Sequence, residues 1–478
     1  MRNSLEDRVT GWRRIPERLR DAKMVRVTLT LILGALGAIP LVLLTPPFQV
    51  PDEVQHFYRA FQLSDLRLRA EVRNGVAGGT LPVSLPELVK SSVYTQDGIF
   101  YPATPSPITK TLKLASIPLD TGARQFVAIP GAAYYSPLPY IPQVLGIALG
   151  RLFGAGPLYL LYLGRFFNCV ASLALVGFAV FLMPAAGELI MVVGLLPMSL
   201  FLYASISPDA AVISCALLFI ALSISASARG NWKTWELAMA AAAAAVLCSV
   251  KPTYAPILLA GFVPELLRRG KAAIVVRAHM ILLAVALGVT ASWLLFAKST
   301  MTSPLGGGHP SLQMGFILHH PAFFMGALVH TLGLREIFDL YFGTVGVFGW
   351  RTVPLHPVFF YLLPFVSFAI VWKFGARGSE ERSALCALWY STLALASAVL
   401  VMTALYLLSG QVGESEVPGV QGRYFIPILV PLGMAAMELA PRRRPSAQGW
   451  RSMACIAAII IVQIVVTDAS IIRAFHVF

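Results

Sequence analysis

Apolar residues run along this chain in blocks of membrane length, broken by short turns that carry Lys and Arg. Such blocks predict transmembrane helices, because only a closed helix satisfies its own backbone in lipid. They lie at 27–45, 158–182, 189–206, 210–228, 235–250, 253–267, 278–297, 358–372, 384–408, 424–440 and 453–472, an expected total of 11 spans. One further apolar stretch, 137–150, is short and opens on Ser136-Pro137-Leu138-Pro139. Parity places it. If the basic N-terminus and the basic turns 229–233 and 268–277 are inside, the run 158–182 travels inward and 137–150 does not cross. It is expected as an interfacial or re-entrant helix on the outer side.

The pattern gives a basic cytoplasmic segment 1–26, a first span 27–45, an outer loop 46–157 and a bundle 158–297. A second outer loop, 298–357, and C-terminal helices in 358–478 follow, with the N-terminus inside and the C-terminus outside. Within the second loop, Ser311 to His330 is apolar-periodic and suits a membrane surface. No small-x-small cleavage site follows the first run, which therefore reads as an uncleaved anchor. The expected fold class is an all-α polytopic helix bundle in a membrane, with juxtamembrane helices in a long first outer loop.

Composition agrees with the pattern. Of 478 residues, 57% are hydrophobic and 13% charged. Soluble domains carry about 25% charge, so a soluble or disordered chain is excluded. The net charge of +14 raises nucleic acid as a partner. Yet 21 of the 37 Lys and Arg lie in 1–26, 229–233, 268–277, 373–382 and 441–451, all beside apolar runs. That marks cytoplasmic turns and lipid head groups, and no nucleic-acid partner is expected. Cys169, Cys215, Cys248, Cys386 and Cys455 all sit in apolar runs without metal or C-x-x-C spacing, as small core residues do.

Chemistry concentrates where the first run leaves the membrane, at Pro51-Asp52-Glu53-Val54-Gln55-His56. On a helix Asp52 and His56 share a face and Glu53 neighbours His56. Two acids and an imidazole suit an acid/base step or a divalent ion. Acids that merely complement a helix dipole give the plainer alternative. Arg165 lies inside its run and needs a partner or a wet cavity. Asp209 opens a run, Lys251 sits in an outward turn, and Arg423-Tyr424 stands where a run meets the outside. Each has a plain reading: helix-start acid, snorkelling lysine, interfacial Arg–Tyr anchor. The derived topology nevertheless puts all of them near one leaflet. Cations there would hold a lipid phosphate while a carboxylate takes a proton from the acceptor.

The segments P-P-F-Q-V-P-D-E-V-Q-H-F-Y-R-A (46–60), S-I-S-P-D-A (205–210) and Q-G-R-Y-F-I-P (421–427) resemble a bacterial family of polytopic membrane proteins of unknown function. More distantly, the layout is similar to the GT-C superfamily of membrane glycosyltransferases, which includes protein O-mannosyltransferases and lipid A aminoarabinose transferases. D-E-V-Q-H-F is similar to the mannosyltransferase D-E-V-H-F with Gln55 inserted, and Ser136-Pro137-Leu138 resembles the H-P-P-L juxtamembrane motif. The resemblance implies a polyprenyl-phosphate-linked sugar donor used on the outer face, with a glycan, lipid or protein acceptor. It makes Asp52 the catalytic base with Glu53 as its partner, Lys251 and Arg423 the phosphate contacts, and Asp209 a supporting acid. His56, Arg165 and Tyr424 complete the expected substrate-binding set. No obligatory metal is expected, with a divalent ion as the alternative. The rival readings are a lipid-linked glycan flippase or transporter and a non-catalytic assembly partner.

Overall fold

The computed structural model describes residues 17–93, 106–183, 186–269, 272–300, 309–362, 366, 384–409, 411–440 and 449–477. The basic segments 1–16, 373–382 and 441–448, and most of the expected span 358–372, lie outside the described residues.

Six described helices are long and apolar enough to cross a membrane, within Glu17–Leu44, Pro157–Leu182, Asp209–Arg229, Ala272–Ala297, Ala384–Ser409 and Gly449–Phe475. A seventh is counted if Pro310–His319 and Pro321–Thr331, bent by 107° at their junction, form one broken span. Pro321 supplies the break, since it has no amide hydrogen to continue the ladder. Other expected spans are interrupted in the same way. The run 189–206 forms Gly187–Gly194 and then Pro197–Tyr203. The run 253–267 starts as the 3-10 segment Pro252–Leu259, and 424–440 as the 3-10 segment Gly422–Ile428. Thr234–Val250 is a single helix of 17 residues. Hydropathy alone cannot see these breaks, because Pro and its neighbours remain apolar.

The broken pieces sit inside the bundle. Every residue of Gly187–Gly194 and Pro197–Tyr203 is buried, so protein shields their free backbone groups from lipid. Asp209–Arg229 is the central column, with 89% of its apolar window buried against 22% for Val275–Thr300, which lies on the surface of the bundle. Near the opposite end of the bundle, Arg26 pairs with Glu188 at 3.1 Å.

The segment 46–157, expected as an outer loop, departs from the all-α expectation. It contains a three-stranded antiparallel sheet of Glu71–Arg73, Val76–Pro82 and Arg124–Ala128, with Glu71 opposite Gly78 and Thr80 opposite Phe126. Asn74 and Gly75, both at positive φ (51° and 76°), close its hairpin. The sheet packs on the helix Glu53–Ser64, and Asp65 at that helix's C-cap pairs with Arg124 (2.5 Å) and Arg151 (2.7 Å). Beneath it lies a hydrophobic cluster separate from the main bundle core, built on Phe48, Phe57, Phe61, Leu85 and Ile147.

The stretch 137–150 becomes a 3-10 turn, Leu138–Tyr140, and a helix, Ile141–Leu152. Its 12 residues rise about 18 Å, well short of the roughly 30 Å hydrocarbon core. One face packs on Pro157–Leu182 so closely that a Cβ on Gly146 would lie 2.5 Å from the Leu163 carbonyl oxygen. The other face exposes Ile141, Leu145, Leu149 and Leu152 as one apolar stripe.

Candidate functional site

The chain leaves its first span through Thr45–Asp52, where Phe48 and Asp52 both hold φ near 64°. Left-handed conformations are costly for non-glycine residues and persist only where the surroundings impose them. The imposing contact is Glu53. Its Oε1 accepts from Arg165 Nε (2.8 Å) and its Oε2 from Arg165 Nη2 (2.6 Å). The backbone amides of Phe48 (3.1 Å) and Ile206 (3.2 Å) fill the remaining positions. Arg165 Nη1 also donates to the carbonyls of Val42 and Thr45. Both side chains are fully buried. Glu53 and Arg165 thus form a closed pair that ties the helix start to two spans and to the segment before Asp209.

Asp52 points elsewhere. As the N-cap it makes no side-chain cap bond. Its Oδ2 accepts from Arg423 Nη2 at 3.1 Å, and its side chain stays 49% exposed while that of Arg423 is 7% exposed. Arg423 Nε lies 3.5 Å from Asp209 Oδ2, and Lys251 Nζ donates to Asp209 Oδ1 at 2.5 Å. Tyr424 lies between the two cations, with Lys251 Nζ 4.2 Å and Arg423 Cζ 5.3 Å from its ring centre. Residues separated by up to 371 positions thereby form one cluster, Asp52–Arg423–Asp209–Lys251, at the helix ends where the first span exits. Its formal charge sums to zero.

Packing fixes Arg423 in this place. A Cβ on Gly422 would lie 2.1 Å from the Leu340 carbonyl oxygen and 2.3 Å from the Thr344 amide, so only glycine fits against the helix Leu334–Gly346. Thr344 Oγ1 donates to the Gly422 carbonyl at 2.8 Å, and Tyr254 Oη to that of Tyr424 at 2.6 Å.

The His56 backbone amide donates to the Asp52 carbonyl at 3.2 Å, but its ring is hydrogen-bonded elsewhere. Its Nδ1 shares a 2.7 Å hydrogen bond with Tyr140 Oη, and its ring lies 5.6 Å from that of Tyr135. Burial pushes the imidazole down to about 4, with Asp52 and Asp209 opposing this and Arg423 and Lys251 adding to it. Burial also drives the Tyr140 phenol well above its usual range, so it remains a hydroxyl.

Beside the cluster lies a cavity of about 340 Å³, lined by Pro51, Arg423, Gln421, Asp339 and Arg351 together with Phe201, Phe342 and Val347. Asp339 and Arg351 were not singled out in the sequence, where they belong to no motif. Among the described residues no group of three or more His, Cys, Asp or Glu is placed to hold a metal ion.

The helices and this charged cluster define a polytopic helical membrane protein with polar groups gathered at one end of its bundle. The family described as predicted membrane protein (DUF2142) matches residues 34–432. The chain belongs to that family, whose match includes all three motif segments. No curated protein and no solved structure matches the chain.

His56 makes one property of this site measurable. Its folded value near 4 lies below the ordinary 6.5, so between these pH values the unfolded chain binds the extra proton. Stability should fall as pH drops from 6.5 towards 4. In thermal melts across that window, His56→Gln should show a shallower decline than wild type. An unchanged slope would remove His56 as its source.

Proposed function

We propose that the chain is a membrane glycosyltransferase that uses a polyprenyl-phosphate-linked sugar on the outer face of the cytoplasmic membrane, in cell-envelope glycan assembly. The supporting observation is the half-exposed Asp52 carboxylate set against buried Arg423, with Asp209 and Lys251 behind it. The acceptor hydroxyl, on a glycan, lipid or protein, attacks the anomeric carbon and the bond to the polyprenyl phosphate oxygen breaks. Asp52 takes the hydroxyl proton, and the cations stabilise the departing phosphate. Glu53 acts as a positioning group, because Arg165 and two backbone amides occupy both its oxygens. For the same reason Asp52 and Glu53 are not free to chelate together, and the reaction is written without an obligatory metal.

The proposed topology keeps 11 crossings, the N-terminus inside and 137–150 on the outer side, with the broken helices counted as spans. Single cysteines are placed by Ser116→Cys and Asn231→Cys in a chain lacking its natural cysteines. An impermeant maleimide applied to intact cells should label the first and spare the second. The opposite result inverts the orientation.

Asp52→Asn keeps the shape of the side chain and removes the base. Transfer from a polyprenyl-phosphate sugar by purified, detergent-solubilised protein should fall by about 10² to 10⁴, the usual worth of a general base. Monodispersity on gel filtration should match wild type. Near-normal turnover in folded Asp52→Asn protein would end the base assignment and favour the transporter or assembly-partner readings.

A further inference from the structure

The cavity holds a cation that the cluster has not already matched. Lys251 and Arg423 both face Asp209, and Arg423 also faces Asp52. Arg351, exposed and also lining the cavity, makes no ion pair among the described residues. It sits in the turn of a small hairpin whose strands pair Val347 with Pro354 and Phe348 with Val353. Both ends of the turn are held. Phe348 is buried with its ring 5.1 Å from that of Phe201, and Trp350 Nε1 donates to the Phe48 carbonyl at 3.3 Å. Between these anchors Arg351 keeps φ at 64°, a conformation an arginine does not choose for itself. The turn therefore holds Arg351 in the cavity lining and ties it to the same segment that carries Asp52.

The rest of the lining narrows the ligand. A volume of about 340 Å³ falls in the small-ligand range. Asp339 repels a bare anion but accepts hydrogen bonds from hydroxyl groups. Leu334, Ile337 and Phe338, on the same helix as Asp339, are 80%, 46% and 57% exposed, as side chains facing acyl chains are. Cationic walls, a hydroxyl acceptor and an adjoining lipid-facing helix together describe the environment of an amphiphile with a phosphorylated, hydroxyl-bearing head.

We propose that this cavity seats the phosphate head of a glycosyl-phosphate lipid, with Arg351 as a principal phosphate contact beside Arg423, which lines the same cavity. The proposal rests on the transferase reading for the sugar, and deepens it by naming where the donor head lies. The phosphate contact itself stands on the cavity alone.

The test is calorimetric titration of the full-length protein in detergent with farnesyl phosphate, farnesol or inorganic phosphate. Wild type should bind farnesyl phosphate more tightly than either of the others. Arg351→Gln should weaken that binding by about tenfold to hundredfold, the loss expected for a charge-assisted hydrogen bond, and Arg351→Lys should restore part of it. The ligand-free melting temperature of both variants should match wild type. Unaltered farnesyl phosphate binding by folded Arg351→Gln would overturn the site, as would equal binding of farnesol. Inorganic phosphate binding as tightly as farnesyl phosphate would overturn the lipid assignment. The two readings separate cleanly. Lost binding in Arg351→Gln beside retained transfer in Asp52→Asn sinks the base and leaves this site. The converse pair of results sinks this site and leaves the base.

Discussion

The arrangement depends on one buried ion pair. Glu53 and Arg165 face each other through two hydrogen bonds in surroundings without solvent. Desolvating two charges is expensive, and the cost is offset only when geometry is close and the remaining lone pairs and protons find partners. Here they do, through the amides of Phe48 and Ile206 and the carbonyls of Val42 and Thr45. An arginine inside an apolar helix, unfavourable in isolation, becomes the post to which the segment after the first span is fastened. Because Glu53 is fixed, the neighbouring Asp52 has little choice of direction, and its left-handed backbone records that constraint.

The second layer is electrostatic balance. Asp209 lies at the start of the central helix and meets cations from two other segments. Low-dielectric surroundings make each contact stronger and any unmatched charge more costly. A neutral cluster of two acids and two bases is therefore tolerated near the membrane where single charges are not.

Much of this was legible in the sequence. Long apolar runs located the long helices, and the parity of basic turns kept 137–150 from being counted as a span, in keeping with its 12-residue helix. The same parity put Asp52, Asp209, Lys251 and Arg423 near one surface, and the structure joins these four. What the sequence concealed has physical causes. Spans broken at Pro197, Pro256 and Pro427 keep their hydropathy, so their interruptions are silent on an apolarity scale. The three-stranded sheet was missed although Asn74-Gly75 is a strong hairpin signal, because the flanking strand Val76–Pro82 is too rich in glycine to alternate. Glu53 and Asp52 are adjacent and chemically alike, and only their partners separate an anchor from an available carboxylate. Arg351 and Asp339 carry no motif at all, and gain interest only from the cavity they share.

A double-mutant cycle on Glu53 and Arg165 tests the anchor most directly. Unfolding free energies would be measured by SDS titration for wild type, Glu53→Gln, Arg165→Gln and the double variant. A buried pair deprived of one partner loses about 3–5 kcal/mol, whereas removing both partners leaves no stranded charge. Each single change should therefore be strongly destabilising, and the double should be less so than their sum by at least about 1 kcal/mol. Effects that add within about 0.5 kcal/mol would contradict the account, because the two residues would then not be acting as one contact.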